Sequence, residues 1–185
     1  MNKYKLLTPG PLTTTSSVKE EMLLDRCTWD DEYKSITQKI RSQLLALAGA
    51  DAAQYTAVLM QGSGTFAVES VMTSTISKED KVLIVTNGAY GERLVKMAEY
   101  IGLHYTEYKL NYNEQPSENE LRSRLQKDLR ITHIAMVHCE TTTGILNPLE
   151  MVSRLSKEYG KTLIIDAMSS FGGMEIDVQG LGIDY

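Results

Sequence analysis

The sequence predicts an α/β fold: one mostly parallel sheet with helices on both faces. Three observations carry this. Short apolar, β-branched runs such as KVLIV (81–85) and TLII (162–165) read as strands buried on both faces. Amphipathic, helix-like stretches alternate with them. Loops rich in glycine, hydroxyls or carboxylates follow the strands, where open α/β sheets bind ligands. The 185 residues suffice for a domain of this kind with a sizeable core.

The elements follow in order. LLTPGPLTTT (6–15) is punctuated by proline and glycine and cannot be a helix interior. Ser16 and Ser17 offer an N-cap for a short helix ending near Leu24. Residues 25–29, with the only tryptophan, are irregular, and Asp30 and Asp31 can cap the next helix. That helix carries Tyr33, Ile36, Ile40, Leu44 and Leu47 as one apolar stripe, and Gly49 ends it. Residues 56–60 are expected as a strand, 62–65 as a turn and 66–76 as a helix. A strand over 81–85, a helix over 90–101 and a strand over 104–108 come next. A polar loop (111–117) leads to an amphipathic helix over 118–129. The chain then runs through a strand (132–137), a helix (148–159) and a strand (163–165).

The bulk numbers exclude several classes. A formal charge of −5 argues against coating nucleic acid. No apolar run approaches the roughly 20 residues of a membrane span. The start, MNKYKLLTPGPL, does not read as a secretory signal. Cys27 and Cys139 form no CxxC, so two buried or free thiols in a reducing cytoplasm are expected. His133 and His138 are five apart on a strand and point to opposite faces, so a metal site is not expected.

Four loops carry candidate chemistry. GSGT (62–65) lies between a strand and a helix, where backbone N–H groups and a positive helix end form an anion site, and Ser63 and Thr65 add hydroxyls. The plainer alternative is a tight turn with a hydroxyl cap. A dinucleotide reading weakens, because the next strand ends Val85-Thr86-Asn87 without an acid, and no lysine follows the glycines as a triphosphate loop requires. TNGAYGER (86–93) places Tyr90 where its ring can stack on a flat ligand; a core role at a helix start is the alternative. HCETTTG (138–144) puts Glu140 and three hydroxyls, Thr141 among them, at the same edge, or is an ordinary polar loop. Asp166 ends the last strand, where burying a carboxylate without a partner is costly; the alternative is a turn or helix cap.

An anion cradle, an aromatic ring, a hydroxyl loop and a carboxylate at one sheet edge suit a planar, phosphorylated cofactor containing nitrogen. Pyridoxal 5′-phosphate fits: phosphate at Gly64 and Thr65, ring on Tyr90, and the protonated pyridine nitrogen at Asp166. A cation so placed keeps Asp166 ionised.

LLTPGPLTT, DRCTWDDEY, QGSGT, TNGAYGER, HCETTTGILNP and IDAMSSFGG, in this order, resemble the class V (fold type I) aminotransferases over essentially the whole chain. The resemblance implies the large, cofactor-binding domain of a pyridoxal phosphate-dependent transferase. An N-terminal arm would span 1–15 and a partial large domain 16–185. It implies that Ser63, Gly64 and Thr65 take the phosphate, Tyr90 and Met168 cover the two ring faces, Thr141 bonds the ring's hydroxyl side and Asp166 pairs with the ring nitrogen. It implies a homodimer in the full-length form, and amino transfer between a small-molecule amino donor and pyruvate. The wording of DRCTWDD, NGAYGER and AMSSFGG points to 2-aminoethylphosphonate as the donor. Alanine–glyoxylate or serine–pyruvate types are the alternatives, as is a non-catalytic half needing a partner chain. A histidine in place of Tyr90 would favour cysteine desulfurases. The family's Schiff-base lysine has no counterpart between Asp166 and Tyr185. The expectation is therefore an N-terminal half without the small C-terminal domain and its substrate-binding arginine, inactive alone.

Overall fold

The computed structural model describes residues 4–6 and 12–185. Half of the proline-rich lead-in (7–11) lies outside them; the described remainder, Leu6 and 12–15, is not helical. Four strands form a parallel sheet in the order β2-β1-β3-β6: β1 (Lys81–Thr86), β2 (His104–Lys109), β3 (His133–Val137) and β6 (Thr162–Asp166). A two-stranded antiparallel ribbon, β4 (Cys139–Glu140) with β5 (Ile145–Leu146), projects beyond β3.

Strand alternation divides the core into two layers. Leu83, Val85, Ile134, Met136 and Leu163 face one way and pack with Leu121 and Leu125 of α5 (Glu118–Lys127) and Leu149, Val152 and Leu155 of α6 (Leu149–Glu158). Val82, Ile84, Ala135, Val137 and Ile164 face the other way. They meet Met72 of α3 (Gly64–Thr75) and Leu94 and Ala98 of α4 (Ala89–Ile101). Successive side chains of a strand point to opposite faces. Asp166, two residues after Ile164, therefore points to the α3/α4 face, and the register sets it beside Val137 at the C-terminal edge.

The described residues of the N-terminal third lie outside these layers. Thr15 caps α1 (Ser16–Glu21), accepting from Val18 N–H, so the cap is one residue before Ser16 and two before Ser17. Asp30 stands at the N-cap of α2 (Asp31–Leu47), but its carboxylate accepts from Cys27 N–H instead. On α2, Tyr33, Ile36, Ile40 and Leu47 are exposed and Leu44 is half-buried. Its apolar stripe is thus largely uncovered by the described residues.

Residues 56–60, expected as a strand, join no ladder. Arg41 Nε donates to Ala57 O at 2.8 Å and ties the segment to α2, while Val58 stays 70% exposed. A short apolar run does not by itself distinguish a buried strand from other apolar segments. The sequence reading also omitted α7 (Val178–Leu181) and the β4–β5 ribbon, each too short to show a period. No helix among the described residues is long and apolar enough to cross a membrane, and no three His, Cys, Asp or Glu side chains cluster there as metal ligands would. Both cysteines are free.

Candidate active site

A cleft of about 530 Å³ opens at the C-terminal edge of the sheet on the α3/α4 side. Ser63, Gly64, Thr65, Tyr90, Thr141, Asp166 and Met168 all line it, so the seven residues singled out in the sequence converge. Arg93, Ser169, Val68, Leu94, Met97 and Val137 complete the wall.

Each loop is placed by local chemistry. Ser63 caps α3, its Oγ accepting from Phe66 N–H at 3.2 Å, and its hydroxyl proton remains to be donated. The next two N–H groups, of Gly64 and Thr65, find no acceptor among the described residues. Such groups at a helix start carry partial positive charge. A Cβ on Gly64 would lie 2.8 Å from Met168 Cε, so glycine lets the loop after β6 approach the helix.

The start of α4 is different. Ala89 N–H donates to Thr142 Oγ1 at 3.2 Å, Tyr90 N–H to Glu140 Oε1 at 3.3 Å and Gly91 N–H to Glu140 Oε2 at 3.1 Å. Two helix N-termini thus reach this edge, and the one on α3 is open. Glu140, expected at the edge with the hydroxyls, is fully buried beneath it and does not line the cleft. Non-local hydrogen bonds draw it under α4, and no local sequence pattern encodes them.

Asp166 Oδ1 accepts from Met168 N–H at 3.0 Å, the one hydrogen bond its side chain makes among the described residues. Burial pushes its pKa above the ordinary carboxylate value; the Met168 N–H opposes this, the charge of Glu140 adds to it and the charge of Arg93 offsets it. The expectation that Asp166 is held ionised thus depends on a cation meeting it from the cleft. Behind it, His138 Nδ1 lies 2.9 Å from Ser170 Oγ, and His138 N–H donates to Asp166 O, joining β3 to the turn after β6. Burial lowers the pKa of His138, which favours a neutral ring.

Arg93 carried no role in the sequence reading. Its Nη1 donates to Thr65 Oγ1 at 2.9 Å, and its guanidinium sits 4.6 Å from the Tyr90 ring centroid. The i, i+3 spacing from Tyr90 on one helix was the available signal. No lysine lines the cleft among the described residues. Lys157 lies on α6, across the sheet, and donates to Gly180 O at 2.7 Å.

The residues present fit pyridoxal 5′-phosphate. An open helix start suits the phosphate, a tyrosine and a methionine suit a flat ring, and a carboxylate short of donors suits a protonated ring nitrogen.

Comparison with known proteins agrees. The Aminotransferase class-V family model matches residues 26–185. A 2-aminoethylphosphonate–pyruvate transaminase of Lysinibacillus sphaericus is 59% identical over 185 residues, all of this chain and 50% of that protein. The Bacillus cereus protein of the same name is 55% identical over 184 residues, covering 100% of this chain and 54% of that one. Among solved structures, alanine–glyoxylate aminotransferase from Nostoc sp. superposes with a TM-score of 0.86 at 33% identity, over 95% of this chain and 46% of that one. The chain spans about half the length of the curated relatives it matches.

Proposed function

The chain belongs to the class-V aminotransferases, whose cofactor is pyridoxal 5′-phosphate, and from that premise we propose that it is the N-terminal part of an enzyme moving the amino group of 2-aminoethylphosphonate to pyruvate. The products are phosphonoacetaldehyde and alanine, and the setting is phosphonate catabolism in the cytoplasm. Residues 16–185 form part of the cofactor-binding domain, and about half of the arm expected over 1–15 lies outside the described residues. The observation that carries the reading is the convergence of the seven residues on one cleft with an open helix start at one end and Asp166 at the other. Relatives of that name at 55–59% identity support the donor and acceptor over the alanine–glyoxylate type, matched at 33%.

When bound, the cofactor carries the amino group and its protonated ring withdraws electrons from the reacting carbon. Ser63, Gly64 and Thr65 hold its phosphate. Tyr90 and Met168 fix the ring plane, and Thr141 bonds the ring's hydroxyl side. Asp166 keeps a proton on the ring nitrogen, and the opposed charges hold its own pKa down.

No lysine reaches the cleft among the described residues, so the 185 residues alone do not transaminate. The full-length form is a homodimer, and the exposed apolar stripe of α2 supports this. Equilibrium titration with pyridoxal 5′-phosphate tests the site: saturable uptake abolished by Asp166→Ala supports it, and uptake indifferent to Asp166 contradicts it. A longer chain carrying this segment, offered 2-aminoethylphosphonate, serine and alanine, tests the donor.

A further inference from the structure

The start of α4 ends on a loop from another strand, and one side chain makes most of that junction. Glu140 is 0% exposed. Its Oε1 accepts from Tyr90 N–H at 3.3 Å, Thr142 N–H at 3.3 Å and the Thr142 hydroxyl at 2.8 Å; its Oε2 accepts from Gly91 N–H at 3.1 Å. All four partners are donors, the set an acceptor-only carboxylate takes. No arginine, lysine or histidine among the described residues forms an ion pair with it. The positive end of α4 therefore faces its charge. A Cβ at Gly88 would overlap the Glu140 Cγ, so the glycine there makes room for this side chain.

Two residues of the cleft wall hang on this junction. Tyr90 contributes one of the four donors through its own N–H. Thr141 lies between Glu140 and Thr142, both of which are in the network. We propose that Glu140 is a positioning residue: its buried carboxylate clamps the first turn of α4 to the 141–143 loop and so fixes the Tyr90 ring and the Thr141 hydroxyl at the spacing a bound planar ring needs. This rests on the reading that Tyr90 and Thr141 border the cofactor ring. The phosphate end, on α3, makes no hydrogen bond to Glu140 and touches α4 through Arg93 and Thr65.

The substitution Glu140→Gln tests it, because an amide keeps one acceptor and turns a donor toward a donor. The 185-residue chain is compared with this variant and with Thr142→Val, which removes the hydroxyl arm of the network at an exposed residue. Amide hydrogen exchange reads the clamp itself. Titration with pyridoxamine 5′-phosphate reads the ring site, and inorganic phosphate, followed at the Gly64 and Thr65 amides, reads the phosphate end. The expected result is exchange at Tyr90, Gly91 and Thr142 accelerated about tenfold or more with the strand core unchanged. Pyridoxamine phosphate weakens by about tenfold while inorganic phosphate binds as before. Unchanged exchange at those three amides overturns the clamp. Equal weakening of both ligands overturns the positioning role and leaves a merely structural one. A wild-type chain that takes up neither ligand sinks the cofactor reading instead, and the exchange comparison still decides the clamp.

Discussion

Asp166 Oδ1 sits 3.0 Å from the Met168 N–H and receives no other side-chain hydrogen bond among the described residues. A half-buried carboxylate at the end of β6 is thus left short of donors on the cleft side.

That shortage shows in stability. The folded-state pKa of Asp166 is raised by burial, so the folded chain binds its proton more tightly than the unfolded chain. The stabilisation from protonation is complete below the ordinary carboxylate value and is lost as pH rises through the raised one. At neutral pH the ligand-free chain is therefore penalised. Asp166→Asn is expected to melt higher than wild type at pH 7, with the advantage disappearing in acid. Thermal melts across that range check it; a variant that melts lower at pH 7 contradicts it.

Arg93 links the two ends of the cleft through Thr65 and Tyr90. Replacing it with glutamine removes the only cation among the described lining residues. Pyridoxamine phosphate is expected to bind about tenfold more weakly, the scale of one charge-assisted hydrogen bond. The salt dependence of binding should also flatten, measurable by titration at about 0.1 M and about 1 M salt.

The surface pairing of α5 with α6 predicts an acid-sensitive contribution. Glu118 bonds Arg154 and Arg122, which lower its pKa to about 2. A depressed carboxylate stabilises the fold above its unfolded value and loses that contribution as pH falls toward about 2. Glu118→Gln should lower the melting temperature slightly at pH 7 and not at pH 2, and salt should shrink the difference because the group is exposed.

Core packing on the opposite face predicts a larger effect. Leu155 is fully buried between α6 and the sheet. Leu155→Ala is expected to cost about 2–5 kcal/mol in denaturant unfolding, from lost burial and the cavity left behind.

The sheet and the site were not equally legible. The strands at 81–86 and 162–166 declare themselves because both faces are buried, so each run is almost continuously apolar. Ser63, Tyr90, Thr141 and Asp166 were legible because each follows a strand or opens a helix at the ligand-binding edge. Residues 56–60 misled because their apolar side chains stay exposed and their backbone is tied to Arg41 rather than to a ladder. Glu140 was placed at the right edge and the wrong depth, since two of its four donors, the Tyr90 and Gly91 N–H groups, lie about 50 residues away on α4. Arg93 escaped because only the packing of α3 against α4 brings it to Thr65.

Asp166 facing a ring nitrogen is the pivot of the proposed site. The most direct measurement is the ¹⁵N resonance of pyridoxamine 5′-phosphate labelled at that nitrogen and bound to the chain at mildly alkaline pH. A protonated pyridinium in wild type that reverts to the neutral ring in Asp166→Asn is the predicted result. A neutral ring in wild type, or the same resonance in both proteins, would contradict it.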